Sequence, residues 1–191
     1  MIFCSLFCIT AVHALDYKPW IEIKPSYFFF YQSPMNKIYD KGGFQVQSSL
    51  SVPIMKHCDL YGSAGYRQVW GHALNTCEKT SLAVIPVDLG LKPKFKISPR
   101  CYYYFAVGPR FFFFEQNNRS PYVEKTIKNN GIGVFANTGF NALFKKHFLF
   151  GIFGEYSYEQ KFICPTIPNV YSTGNTQLGG LAFGISFGYA F

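Results

Sequence analysis

Few side chains in this chain of 191 residues could carry out catalysis. A hydrolytic site needs a base, a nucleophile and an oxyanion donor within mutual reach. Of the histidines His57, His72 and His147, only His72 could be approached by a nucleophile, such as Ser172 or Tyr171, and their spacing does not support a catalytic pair. The cysteines and histidines form no C-x-x-C and no cluster spaced for metal ligation. We therefore expect no enzymatic activity and no cofactor.

Two other motifs lack the context that they need. Residues 131–136 match the letters of a dinucleotide fingerprint, but no helix-like segment follows them. The net charge is +8, yet lysine and arginine are scattered over turns and loops rather than gathered in a binding module. We therefore expect no nucleotide cofactor and no nucleic-acid partner.

The elements that must position the remaining polar groups are extended. Eight segments alternate in hydropathy with a period of two or are continuously apolar, which is typical of β-strands. They lie near residues 20–32, 43–54, 60–71, 80–92, 101–115, 131–144, 148–158 and 177–191. No run of eighteen apolar residues occurs, so the sequence does not predict a helical membrane protein.

The connections alternate in length along the chain. Residues 55–59, 93–100 and 145–147 are short connections, whereas 33–42, 72–79, 116–130 and 159–176 are longer. An up-and-down barrel requires this order, with tight periplasmic turns and longer extracellular loops. The predicted fold class is all-β, an eight-stranded antiparallel up-and-down transmembrane β-barrel.

The last segment has the clearest alternation of the whole chain. Its two faces are Leu181, Phe183, Ile185, Phe187, Tyr189 and Phe191 on one side, and Ala182, Gly184, Ser186, Gly188 and Ala190 on the other. A bulky apolar face opposite a face of tiny residues suits a narrow barrel with lipid outside and a crowded lumen.

This ending resembles the C-terminal signature of bacterial outer-membrane β-barrels. The chain as a whole is similar to the small eight-stranded class that includes outer-membrane proteins A, X and W. The resemblance implies recognition by the barrel-assembly machinery, with an assembly signal formed by Phe183, Ile185, Phe187, Tyr189 and Phe191.

Charged residues fall on the inferred inner face of several segments. With the apolar face outward, the lumen receives Glu22, Lys24, Arg67, Asp88, Lys92, Arg110 and Glu155. Buried charges are costly unless paired, so we predict an ionic network that plugs the lumen. Its two layers would be Glu22, Lys24, Asp88 and Lys92 near the periplasm, and Arg67, Arg110 and Glu155 above them.

Two features leave this facing open. Prolines at 25, 86 and 109 interrupt the segments, and a bulge at Pro109 would reverse the facing of everything after it. Glu22, Lys24 and Lys92 could also lie at strand ends in solvent.

The cysteines of the mature chain divide by side of the membrane. Cys58 and Cys101 fall at periplasmic ends, and Cys77 and Cys164 fall in extracellular loops. Both sides are oxidising, so a disulfide within each pair, intermolecular bridges and free thiols all stay open.

The N-terminus indicates export. Residues 2–12 are apolar and precede a small-x-small site at Val12-His13-Ala14, so we predict a signal peptide over 1–14 and a barrel over 15–191. The 14 Tyr, 22 Phe and 2 Trp would supply aromatic girdles at both membrane interfaces. The predicted location is the outer membrane of a Gram-negative bacterium.

The expected function is non-enzymatic: a plugged outer-membrane barrel that contributes to envelope integrity, to surface adhesion through its extracellular loops, or to both. Expected partners are outer-membrane lipids including lipid A, the assembly machinery, and a host or envelope protein. Candidate contact groups are Arg119, Tyr122, Lys125 and Lys128 in the third loop, and Phe162, Ile163, Val170 and Tyr171 in the fourth. The alternatives are a lipid A-modifying enzyme of the deacylase or acyltransferase kind, a narrow conduit for small apolar solutes, and a soluble lipocalin-like barrel with a polar exterior.

Overall fold

Eight antiparallel strands close into one barrel in chain order, because the last strand pairs back with the first. The computed structural model describes residues 18–31, 33–39, 42–72, 78–119, 125–145, 147–161 and 177–191. The strands are β1 (Trp20–Phe30), β2 (Gly42–Met55), β3 (Cys58–His72), β4 (Lys79–Lys96), β5 (Cys101–Asn118), β6 (Thr126–Phe144), β7 (Phe148–Lys161) and β8 (Gly180–Ala190), with a short helix α1 (Ser33–Ile38) after β1. The predicted fold class is confirmed, and each predicted segment corresponds to one strand. Within the described ranges, no helix is long and apolar enough to cross a membrane.

The exterior of the barrel is apolar on every strand. In β8 the large residues point outward and the small ones point inward, as the alternation predicts. Outward side chains such as Ile23, Leu89 and Ile152 are more than half exposed. A soluble lipocalin-like barrel would carry polar groups there, so the structure contradicts that alternative. By the convention of this architecture, the short connections mark the periplasmic end and the long ones the extracellular end.

Pro109 does not form a bulge. The strand partners Asp88–Arg110 and Leu91–Val107 lie on either side of Pro109, and they are three residues apart on both β4 and β5. The register is therefore unchanged across Pro109, and β5 contains no extra residue there. The predicted bulge is therefore wrong, because proline removes only one ladder donor and that loss can be tolerated without an insertion. The alternation of β5 continues, and Arg110 stays on the inner face.

The other prolines also leave the facing intact. The register shift that does occur lies between Pro53 and Met55, where β2 ends. Pro25 lies among the outward positions of β1 and Pro86 among the inward positions of β4.

Cys58 and Cys101 are free thiols, so the periplasmic disulfide that the sequence allows is not formed. The two residues begin β3 and β5, which lie on either side of β4. Two strand spacings amount to roughly 9–10 Å, and a disulfide needs Cα atoms within about 7 Å. Cys77 and Cys164 lie outside the described residues, as do residues 1–14.

Gly133 of the rejected nucleotide motif has a structural reason to be glycine. Gly133 faces the lumen, and a Cβ placed there would lie 2.0 Å from the carbonyl oxygen of Tyr158 on β7. The backbones of β6 and β7 approach too closely for a side chain at this position.

Candidate functional site: the ionic lumen

Ten charged side chains fill the middle and the periplasmic end of the lumen. They are 4% exposed or less, and they are all the buried charged residues of the described part of the chain. The acids are Glu22, Asp59, Asp88, Glu155 and Glu159, and the bases are Lys24, Arg67, Lys92, Lys94 and Arg110. Strand alternation places them there, because each occupies an inward position of β1, β3, β4, β5 or β7. Five acids balance five bases, so the formal charge of the lumen is zero.

Arg110 is the centre of the upper ionic group. Its Nε and Nη2 donate to the two oxygens of Asp88 at 2.6 and 2.8 Å. Nη2 also donates to Glu155 at 2.7 Å, and Nη1 donates to Glu159 at 3.2 Å. One planar guanidinium therefore joins carboxylates from β4 and β7, which its fixed fork of five donors allows.

Neutral and cationic neighbours complete the bonding of these carboxylates. Ser63 donates to Asp88 at 2.6 Å, and Asn137 donates to Glu155 at 3.1 Å. Arg67 donates to Glu159 at 2.8 Å, and its guanidinium carbon lies 3.7 Å from the centre of the Phe28 ring. The upper ionic group therefore reaches the apolar cluster on its extracellular side through the cation–π contact between Arg67 and Phe28.

A second ionic group lies at the periplasmic end. Lys92 donates to Glu22 at 2.6 Å, and Asn141 donates to the other oxygen of Glu22 at 2.8 Å. Lys94 pairs with Asp59 at 2.7 Å. The lower group thus consists of two separate ion pairs rather than one shared cation.

Lys24 lies in an aromatic enclosure. Its ammonium is 5.1 to 5.3 Å from the ring centres of Tyr61, Tyr104 and Phe153, and it donates to the Tyr61 hydroxyl at 3.4 Å. Rings of this kind stabilise a desolvated cation through their negative faces.

An apolar cap closes the extracellular end. Met35 and Tyr39, from α1 and the residue after it, are 5% and 2% exposed and join a cluster that includes Phe28, Phe30 and Leu178. Asn36 fixes the helix by donating to the Phe30 carbonyl at 3.1 Å. From the extracellular side downward, the lumen is therefore apolar, then ionic, then aromatic, then ionic again.

The structure places all seven predicted lumen residues on the inner wall. Glu22, Lys24 and Lys92 are at most 1% exposed, so the alternative that they lie in solvent at strand ends is wrong. Asp88 was expected in the lower layer and instead bonds Arg110 in the upper group, because its register partner across the β4–β5 ladder is Arg110 itself.

Three members of the network were missed by the sequence analysis. Asp59, Lys94 and Glu159 had been assigned to connections, whereas the strands extend far enough to include them. The sequence does contain a signal for these longer strands, namely polar residues that continue at every second position. In β4 these are Lys92 and Lys94, and in β7 they are Glu155, Ser157 and Glu159.

The histidines do not assemble a site among the described residues. His147 has its Nδ1 2.9 Å from the carbonyl oxygen of Ala190 and stacks on Tyr189 at the barrel end. His72 is exposed where β3 ends, and its suggested partners Tyr171 and Ser172 lie outside the described residues. No group of three or more metal-ligating side chains occurs in the part of the chain that is described.

Comparison with known proteins supports the architecture. No family model matches the sequence, and no curated protein matches it. Solved barrels do match over nearly their whole length. The outer membrane protein OprG from Pseudomonas aeruginosa is 14% identical, with 92% of this chain and 96% of that chain covered and a TM-score of 0.62. Neisserial surface protein A is 11% identical, with coverages of 91% and 97% and a TM-score of 0.59. Ail of Yersinia pestis, in complex with the heparin analogue sucrose octasulfate, is 10% identical, with coverages of 91% and 97% and a TM-score of 0.58.

The chain therefore has the fold of the small eight-stranded outer-membrane β-barrels. Its closed ladder leaves no unpaired strand edge, and its exterior is apolar around the whole circumference, which are the two conditions for crossing a bilayer with strands. These properties suit a barrel that crosses a bilayer, and the similar barrel OprG is an outer membrane protein.

We predict that Glu155→Ala destabilises the barrel. The change unbalances the buried charges and removes an acceptor from Arg110 and Asn137, and breaking a buried pair costs about 3 kcal/mol or more. Urea titration of the folded form on unheated gels measures the loss. The control is Glu115→Ala, which breaks an exposed pair with Lys128 and should change stability by less than about 1 kcal/mol. Equal unfolding midpoints for Glu155→Ala and the unaltered chain would contradict the prediction.

Proposed function

We propose that this chain is a non-enzymatic outer-membrane barrel with a plugged lumen, which stabilises the envelope and makes contacts through its extracellular loops. The observation that carries the proposal is the filled lumen, with its balanced charges in the middle and its apolar cap above. A solute crossing the barrel would have to separate ion pairs that are 0–4% exposed. This argues against a conduit for small apolar solutes and leaves the outer surface as the place of function.

Solute flux tests the plug. Proteoliposomes containing the refolded barrel should swell in isotonic arabinose or proline no faster than protein-free liposomes. A large general porin in the same lipid is the positive control. Swelling above the protein-free rate would contradict the plugged lumen, and a changed lipid A mass spectrum in cells producing the barrel would contradict the absence of catalysis.

The extracellular rim offers a basic contact surface. Lys79, Arg119 and Lys125 are exposed where β4, β5 and β6 meet their loops. Backbone bonds hold them together: Arg119 donates to the Lys79 carbonyl at 3.3 Å, and Asn118 donates to the Lys125 carbonyl at 2.8 Å. Ail, a barrel of similar fold, was solved with a sulfated heparin analogue. We infer that a sulfated polysaccharide of a host surface is the class of partner that suits this rim.

We predict that the double variant Arg119→Gln, Lys125→Gln binds immobilised heparin about tenfold more weakly, because each exposed ion contact contributes up to about 1 kcal/mol. Surface plasmon resonance with the barrel in nanodiscs measures this. The matched control is Lys96→Gln, Arg100→Gln, which removes the same charge at the periplasmic end. An equal loss in both double variants would indicate non-specific attraction and contradict the rim as the contact surface.

We further infer that β8 presents its outward face to the barrel-assembly machinery and, once inserted, to outer-membrane lipids including lipid A. Phe183, Ile185, Phe187, Tyr189 and Phe191 are all exposed along this face.

Phe191→Ser should reduce the amount of barrel assembled in the outer membrane, whereas Phe148→Ser should not. Both phenylalanines are 57% exposed near the periplasmic end, so a general loss of apolar surface affects both variants equally. Only Phe191 completes the proposed signal. Unheated gels of isolated outer membranes report the folded fraction, and equal fractions for the two variants would refute the signal.

A further inference from the structure

A groove of about 610 Å³ lies on the outside of the barrel, across β3 to β6 in its extracellular half. Its floor is formed by Ser81 and Ala83 of β4, where the neighbouring strands carry larger groups. Tyr66 stands on the β3 side and Phe113 on the β5 side, both about half exposed. Small residues between large ones open a furrow along the strand direction.

The furrow crosses from apolar to polar surface. One row of register partners consists of Gln68, Ala83, Glu115 and Lys128, of which three are polar. Two residues toward the periplasm, Ile85 lies opposite Phe113.

Two residues further along the same face lie Val87, Phe111 and Ile132, which are all apolar and exposed. The groove therefore spans the depth at which acyl chains give way to headgroups.

The polar end of the groove is already organised. Lys128 pairs with Glu115 at 3.0 Å, and its side chain is 71% exposed. Asn117 donates to Glu115 at 3.1 Å, and the Tyr66 hydroxyl donates to Gln68 at 3.1 Å. An ammonium has three donors, so Lys128 can bind a phosphate while it keeps its carboxylate partner.

We propose that this groove binds one phosphorylated glycolipid of the outer leaflet. An acyl chain would lie along Ala83, Ile85 and Phe113, and a phosphate would contact Lys128. The carboxylate of Glu115 and the amide of Gln68 would accept hydrogen bonds from the hydroxyl and amide groups of the sugar. This combination favours a glycolipid over a diacyl phospholipid, because the sugars bring hydroxyl and amide donors to Glu115 and Gln68, and these contacts offset the repulsion between the carboxylate and the phosphate. The proposal rests on the outer-membrane location, and not on the plugged lumen or the heparin contact.

The test uses the mature barrel in phosphatidylcholine nanodiscs that contain either diphosphorylated lipid A or phosphatidylglycerol. Native mass spectrometry of the released barrel counts the lipid that stays bound. We expect one lipid A per barrel and markedly less phosphatidylglycerol. Lys128→Gln should lower lipid A retention about fivefold, since a cation near a membrane surface contributes roughly 1 kcal/mol. Ala83→Phe should abolish it by filling the floor.

Matched controls separate this site from general lipid contact. Ala136→Phe makes the same change at an outward position of β6 away from the groove, and Lys37→Gln removes an exposed cation of α1 that does not line it. Both should retain lipid A as the unaltered barrel does, and the heat-dependent gel shift shows that each variant is folded. Equal retention in Ala83→Phe and Ala136→Phe, equal retention of phosphatidylglycerol and lipid A, or no retention at all would each overturn the proposal. The flux and heparin experiments alter neither Ala83 nor Lys128, so the two proposals can fail independently.

Discussion

A charge inside a closed eight-stranded barrel must be stabilised there by an opposite charge or by aromatic faces, because the interior is only wide enough for side chains and the wall leads to lipid. This constraint explains most of what the lumen contains. Arg110 reaches three carboxylates because its guanidinium can donate in several directions at once. Lys24, a compact ammonium, is instead held by three aromatic rings. Each strand that carries a lumen charge must keep its facing, since a slip of one residue in β1, β3, β4, β5 or β7 would turn its charged side chains toward the bilayer.

The residue pattern of the strands reflects the same alternation of inward and outward side chains. An outward position must suit hydrocarbon and an inward position must fit a crowded lumen, so large apolar residues alternate with small or polar ones. Gly133 follows this rule at an inward position, where a neighbouring strand comes too close for a side chain. Ser81 and Ala83 depart from it, because they are small residues on the outward face, where they open the groove.

Sequence reasoning could predict the strand count, the topology and the facing of most charges, because the alternation survives even where prolines interrupt it. It could not predict where strands end. Asp59, Lys94 and Glu159 look like loop residues beside turn formers, and only pairing with a neighbouring strand shows that the ladder continues through them. It also placed Asp88 in the wrong layer, because depth in a tilted barrel depends on register as well as on position along the strand. The short helix α1 lies in a segment whose composition indicates only a loop, and its Met35 and the adjoining Tyr39 pack in the apolar mouth of the barrel.

The neutrality of the lumen changes how the charge of the whole protein should be understood. Within the described residues, five bases and five acids lie in the lumen, and their charges cancel. The full excess of +8 is therefore carried by the other residues of the chain, which include thirteen bases and five acids, a ratio of more than two positive charges to each negative one. Surrounding lipids and macromolecules meet a far more cationic object than the overall composition suggests, and the attraction it exerts on anions will weaken as salt shortens the screening length.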